Sequence, residues 1–360
     1  MGFCKIRLGL AAVLVAFTAA CGDSGPSEFD AVGMQADLMI VDQLEADSTM
    51  NNLLLAFDAI GGEFGGGDEF LGIAERPSLR LSKAGSAAAG RAVEAFFRKG
   101  GSSAISASLA SIPPEVAGKT YIYDSEASDW VASELTGAPA NGVRFKLYAT
   151  DAFGDLVLPL IETGHVDLTD LSNGSTHRAR LVAVSGGQTK ADYTAEASGT
   201  GDDGNVSVAG FVGVGQNRVN FELDADVETS GNDVTFTLAS RLEAPNRDIL
   251  LQVELSGTSN DVTETSTGHL EQLIETPNGR VELAGTLSPE TSLTIRVNGD
   301  LYATYTGDDE TLTGAGGRVL TTDEQEALFG CVFVLQYTVF VPVAFLTPLV
   351  WVVGDMPGIF

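Results

Sequence analysis

Arg218–Glu228, Arg-Val-Asn-Phe-Glu-Leu-Asp-Ala-Asp-Val-Glu, is the stretch whose reading decides the fold. Val219, Phe221, Leu223, Ala225 and Val227 fall on one side of an extended chain, with Asn220, Glu222, Asp224 and Asp226 on the other. A two-residue period is what a half-buried antiparallel strand needs, and a helix cannot produce it. The same period recurs in Val234/Phe236/Leu238, Ile249/Leu251/Val253/Leu255, Val281/Leu283 and Leu293/Ile295/Val297. Turn-forming pairs separate these runs: Gly186-Gly187, Gly231-Asn232, Pro245-Asn246, Asn278-Gly279 and Asn298-Gly299, each suited to a tight hairpin. A meander is therefore expected, with strands near 176–185, 189–198, 205–214, 218–228, 233–243, 248–256, 262–274, 279–288, 292–298 and 301–306.

Working outward, Thr120–Asp124 and Asp129–Ser133 read as a hairpin carrying Tyr121, Tyr123 and Trp130. Val143, Phe145 and Leu147 alternate in the next strand, and Leu156–Ile161 and Val166–Leu171 follow as further strands. Before the strands, Asp30–Ile60 has apolar residues three or four apart (Met34, Leu38, Val41, then Leu53, Leu54, Phe57), the helical spacing. Ser86–Lys99 is a second helical segment, ended by Gly100-Gly101. After the strands, Gly307–Gly317 reads as a loop, and Thr322 with Gln325 fits a capping box that opens a helix. Ala327–Gly354 contains no charged residue and carries Pro342 and Pro348. A buried core helix, alone or with a strand, is the first reading of this stretch; a membrane span is the second.

The fold class expected is mainly β with some α: a large curved antiparallel meander, half-open or closed into a barrel. The N-terminal helices and the apolar C-terminal helix would pack on its concave face. Residues 30–118 form the helical region, 119–320 the meander and 321–360 the apolar closing segment, all within one domain. Such a sheet presents far more apolar surface than a soluble monomer leaves wet. Three things can cover it: the chain's own helices, an apolar ligand or a bilayer.

Charge limits the partners. With 20 basic and 49 acidic residues the net charge is −29, which repels nucleic acid and anionic lipid surfaces. The first residues point to export. Lys5 and Arg7 precede the uncharged run Leu8–Ala20, and Thr18-Ala19-Ala20-Cys21 places small residues before a cysteine. This segment resembles the bacterial lipobox, although Thr18 stands where that pattern usually has leucine. The resemblance implies that residues 1–20 are a signal peptide, that Cys21 is lipidated, and that 21–29 tether the protein to a membrane. Gly22 after the cysteine then implies the outer membrane. Cys4 would leave with the signal, so Cys331 would be the one free thiol and no disulfide is expected.

A curved sheet holding helices behind a lipobox also resembles, in pattern only, the lipoprotein-localisation carrier and receptor proteins and the mycobacterial lipid-binding lipoproteins. No motif is shared, so no family residue transfers. The Tyr/Trp hairpin with Gly137–Phe145 is similar to secreted lipoproteins of environmental bacteria, which adds no activity. The resemblance implies a cell-envelope lipoprotein that binds a lipid or another apolar ligand in a half-barrel. The alternatives are a structural or interaction lipoprotein with a solid core, in which Tyr121, Tyr123 and Trp130 are contact aromatics or ordinary cross-strand packing, and a transmembrane β-barrel.

Catalysis has little support, and no enzyme activity, cofactor or metal is expected. His165, His177 and His269 are scattered, and no Gly-x-Ser-x-Gly elbow exists. His165 with Asp167 and Asp170, and the acidic turns Asp202–Asn205 and Asp308–Glu310, read as polar strand faces and turns rather than metal sites.

Overall fold

The computed structural model describes residues 29–38, 112, 114–127, 129–150, 156–200, 203–260, 262–263, 265–288, 290–307 and 311–345. The lipobox with Cys21, the proposed helices beyond Leu38 and the chain after Phe345 lie outside the described residues.

Among the described residues, fifteen strands form one sheet. In chain order they are β1 Thr120–Asp124, β2 Asp129–Ser133, β3 Gly142–Tyr148, β4 Glu162–Asp170, β5 Thr176–Ser185, β6 Gln188–Thr200, β7 Asp203–Val212 and β8 Val219–Ser230. They continue as β9 Asp233–Ala244, β10 Ile249–Asn260, β11 Thr265–Thr276, β12 Gly279–Ser288, β13 Ser292–Val297, β14 Asp300–Thr306 and β15 Thr311–Gly314. From β3 to β15 every strand pairs antiparallel with the next, as alternating sequence broken by two-residue turns requires. The order departs from a meander once: β1 lies between β2 and β3 and pairs with β3 in parallel. Two elements differ from the sequence reading. Leu156–Ile161 makes only a single bridge, Leu156 to Thr150, because Pro159 interrupts it and has no N–H to give a ladder. Within the expected loop Gly307–Gly317, Thr311–Gly314 pairs with β14, a strand too short to show a period.

Among the described residues the sheet is open, with β2 and β15 as its edges, so the closed-barrel form of the expectation is not what the chain adopts. Both edges are blunt. β15 has four residues, and on β2 the Trp130 amide donates to its neighbour Asp129 Oδ1 at 2.7 Å. Short edges with an occupied amide discourage strand addition.

The two faces have opposite chemistry. Phe145, Leu168, Leu181, Leu223, Val253, Leu270, Leu283 and Ile295 are buried on one face. The other carries ion pairs between neighbouring strands, including Arg144 with Asp167, Arg180 with Asp192 and Arg280 with Glu275, and Arg280 also pairs with Glu282 along its own strand.

Among the described residues, two helices pack on the sheet. In α1, Ala31–Leu38, the Asp30 carboxylate caps the N-terminus by accepting from the Gly33 amide at 2.8 Å. Met34 and Leu38, one turn apart, are buried. Asn278 in the β11–β12 turn donates to Asp37 at 2.8 Å. A side chain at Gly33 would meet Asn278 at 2.6 Å, so glycine is what allows this approach. The second helix, α2, spans Thr322–Ala344, contacts α1 and lies on β7, β8, β9 and β10. Among the described residues no helix is long and apolar enough to cross a membrane.

The capping box that opens α2 sits one residue earlier than the sequence suggests. Thr321 Oγ1 accepts from the Glu324 amide at 3.3 Å, and Glu324 Oε2 accepts from the Thr321 amide at 2.7 Å. Thr321-x-x-Glu324 wins because Glu324 has further partners. It accepts from Arg318 Nη1 at 2.9 Å and from the Tyr302 hydroxyl of β14, while Arg318 lies over the Tyr302 ring. Burial pushes the Glu324 pKa up, but hydrogen bonds from Tyr302, the Thr321 amide and Arg318 outweigh it, and the net shift is downward from 4.5. A depressed carboxylate contributes stability above its unfolded pKa and loses it as pH falls through the folded value. Glu324→Gln is therefore expected to lower the melting temperature at pH 7 and to flatten its decline below about pH 4.5. Thermal melts of both proteins from pH 7 to pH 3 check this; parallel curves would show that Glu324 does not fasten α2.

Candidate apolar ligand site

α2 passes across successive strands of the sheet. Gln272 on β11 donates to the Cys331 carbonyl at 3.2 Å, and Ser240 on β9 donates to the Thr338 carbonyl. Gln272, Val253 and Ser240 occupy one cross-strand row. Seven helical residues rise about 10.5 Å, and two strand spacings are about 9.6 Å, so one heptad of α2 steps over two strands. The next step brings Phe345 to β7.

Pro342 explains the buried serine. In an uninterrupted helix the Thr338 carbonyl would accept from the amide of residue 342, but proline has none, and its ring crowds that carbonyl. Ser240, 2 % exposed in an apolar face, supplies the missing donor.

Where Phe345 reaches β7, the inward residue of that strand is Gly210, between Tyr193 of β6 and Phe221 of β8 and flanked along the strand by the buried Val208 and Val212. Its missing side chain leaves a gap that aromatic rings fill. Phe345 stacks on Phe221 with centroids 4.4 Å apart and planes at 12°, and meets Tyr193 at 5.0 Å. Tyr193 and Phe221 touch across the glycine at 5.6 Å. A Cβ at Gly210 would fall 2.3 Å from the Asp192 carbonyl.

Around Tyr193 the apolar face changes character. On β5 to β7 it presents Ala179, Ala183, Ala191, Ala195, Ala197 and Gly210 together with Leu181, Val208 and Val212, whereas from β8 to β13 Phe, Leu, Ile and Val predominate. Tyr193 lies between Leu181 of β5 and Gly210 of β7, with Ala191 and Ala195 on either side of it along β6. Its side chain is fully buried, its hydroxyl has no hydrogen-bond partner, and burial raises its pKa well above 10.0. A buried polar group left unpaired costs about 1–3 kcal/mol. Tyr193 is therefore one unpaired hydrogen-bonding group in an otherwise apolar cluster. Sequence reasoning placed β6 but passed over Tyr193; the signal was a large amphipathic residue in phase with Ala191, Ala195 and Ala197.

The residues singled out from sequence fall elsewhere. Tyr121 is buried and stacks on Phe145 at 5.0 Å. Trp130 is half-buried, with its edge contacts to Phe145 at 5.5 Å and Tyr123 at 5.8 Å, and Tyr148 lies 6.2 Å away. Tyr123 is half-buried beside it. The three thus form one aromatic cluster at the β2 edge, with Tyr121 inside and the other two reaching solvent. His165 lies 3.8 Å from Asp167, whose carboxylate is held by Arg144 at 2.6 and 2.7 Å. Burial and the Arg144 charge lower the His165 pKa. His177, on the apolar face of β5, is also lowered by burial. His269 sits on the opposite, exposed face beside Glu271 at 3.3 Å. Asp202 and Asp308–Glu310 lie outside the described residues; Asp203 accepts from the Thr229 amide and Asn205 bridges Asp224 and Asp226. No group of three or more metal-ligating side chains occurs among the described residues. Cys331 is buried in α2, where burial pushes its pKa up to about 12, so it stays a thiol.

Compared with known proteins, the chain matches no family model, no curated protein and no solved structure.

Proposed function

We propose that this protein is a cell-envelope lipoprotein, anchored in the outer membrane through Cys21, that binds a lipid or another apolar molecule on the apolar face of a half-barrel sheet. The observation that supports the reading is the buried Tyr193 hydroxyl, which has no hydrogen-bond partner on an apolar face where Ala191, Ala195 and Gly210 are its small neighbours. Binding and release need no covalent step, in keeping with a non-enzymatic protein without cofactor or metal.

The rival reading is a structural or interaction lipoprotein, supported by the anchoring of α2 through Ser240, Gln272 and Phe345 and by the half-buried Trp130 and Tyr123 at the β2 edge. A transmembrane barrel is the weaker alternative. Its lipid-facing surface would be apolar, yet the face opposite the core bears Asp224, Asp226, Glu254 and Glu271 in mid-strand.

Extraction of the purified lipidated protein with chloroform and methanol, followed by mass spectrometry, tests the proposal. One apolar species in near-stoichiometric amount, beyond the Cys21 acyl chains, is expected. Recovery of the anchor alone would favour the solid-core reading.

A further inference from the structure

We propose that the corner of the molecule where Phe29, Tyr302 and Arg318 meet rests on the zwitterionic phospholipid bilayer that holds the Cys21 anchor, with Val32, Leu301 and Val319 entering the lipid interface. The inference rests on the anchoring reading above and adds which surface of the protein the membrane covers.

The apolar side chains of this corner are exposed and close together. Val319 is 87 %, Val32 63 % and Leu301 46 % exposed. Single exposed apolar residues are ordinary on a folded protein, but these three border one cluster. The Phe29 and Tyr302 rings lie 5.3 Å apart, and the Arg318 guanidinium sits 4.6 Å over the Tyr302 ring. Leu301 and Val319 are the chain neighbours of Tyr302 and Arg318, and Val32 follows Phe29 by one helical turn. Strand β15 pairs with β14 only from Ala303 to Thr306, so among the described residues no strand lies beyond Leu301.

The length of the tether says what lies over the corner. From Cys21 to Phe29, the first described residue, is 29 − 21 = 8 residue steps, about 28 Å when fully extended. α1 is held at the β11–β12 turn, where Asn278 meets Asp37 and Thr276 meets Met34. The β13–β14 turn leaves the same end of the strands, whereas Val262, 71 % exposed in the β10–β11 turn, marks the opposite end. β10 and β11 have 12 residues each, a length of about 40 Å. A molecule standing on the Val262 end would hold Phe29 about 40 Å above the bilayer, out of the tether's reach. Standing on the Phe29 end leaves the tether slack.

Charge favours a zwitterionic surface. Arg296 of β13 lies opposite Leu301, is exposed, donates to the Gly299 carbonyl at 3.2 Å and, among the described residues, pairs with no carboxylate. It suits a lipid phosphate while Leu301 enters beside it. Asp300 and Asp323 are exposed at the same corner, and a net charge of −29 opposes an anionic surface. A phosphatidylethanolamine headgroup, with its phosphate and ammonium, offers a partner to both signs.

The test uses the full-length lipidated protein in vesicles of phosphatidylethanolamine and phosphatidylcholine. Leu301→Cys, Val319→Cys and Val262→Cys each carry an environment-sensitive nitrobenzoxadiazole label; Cys331 is buried, so the introduced cysteine is the one that reacts. At positions 301 and 319 the emission should shift to the blue and lose intensity when spin-labelled phosphatidylcholine is included. At position 262 it should keep its value in water and resist quenching. Labels at 301 and 319 that stay in water, while mass spectrometry shows Cys21 acylated and the protein floats with the vesicles, would overturn the inference and leave the anchoring standing. A blue shift without quenching would overturn it too, because a second copy of the chain would then cover the corner. Equal quenching at 262 would contradict the orientation. An unacylated Cys21, or protein that does not float, would overturn the anchoring and the inference together.

Discussion

Phe221→Ala is expected to destabilise the protein by about 3–5 kcal/mol, the range for truncating a buried aromatic side chain. Phe221 is 3 % exposed and holds three elements together: it stacks on Phe345 at the end of α2, meets Tyr193 of β6 across Gly210, and pairs with Leu242 of β9. Strand β7 cannot compensate, because Gly210 offers no side chain to collapse into the cavity. Chemical denaturation gives the magnitude. Limited proteolysis gives the location, since the end of α2 should be cut first once its stacking partner is gone. A loss near 1 kcal/mol would mean that α2 does not depend on this cluster.

Ser240→Ala is the second large effect. Removing the Ser240 hydroxyl leaves the Thr338 carbonyl buried without a donor, at a cost of about 1–3 kcal/mol. The cause can be isolated, because the deficit originates in Pro342. Pro342→Ala restores an amide at the position from which it donates to the Thr338 carbonyl. In that background Ser240→Ala should cost much less, and a double-mutant cycle should show a coupling of about 1–2 kcal/mol. Additive effects would mean that serine is present in the core for another reason.

Much of the fold was legible in the sequence. Each long strand alternates cleanly, and the turn pairs at Gly231-Asn232, Asn278-Gly279 and Asn298-Gly299 fall where the chain reverses. Features that depend on partners far away in sequence were not legible. The parallel pairing of β1 with β3 rests on two residue pairs, Thr120 with Arg144 and Tyr121 with Phe145, and leaves no mark on local periodicity. The capping box shifted from Thr322 to Thr321 because Tyr302 and Arg318 hold Glu324, and neither belongs to the helix. Ser240 and Gln272 occupy inward positions of strands that alternation had placed correctly; only Pro342 and the passage of α2 overhead show why those positions are polar. Tyr193 is similar. An inward tyrosine among alanines looks like ordinary strand sequence until its hydroxyl is found unpaired.

The claim on which the functional account stands is that the Tyr193 hydroxyl meets a ligand. Tyrosines labelled with 13C at the ring carbon bearing the oxygen report this directly, because that resonance moves when the hydroxyl gains a hydrogen bond. The chain has 7 tyrosines, few enough to resolve, and Tyr193→Phe identifies the signal of interest. Titration with the methyl ester of a long-chain fatty acid should displace the Tyr193 resonance while that of Tyr302, already bonded to Glu324, stays in place. A Tyr193 resonance that remains fixed through saturation with the ester would contradict the account.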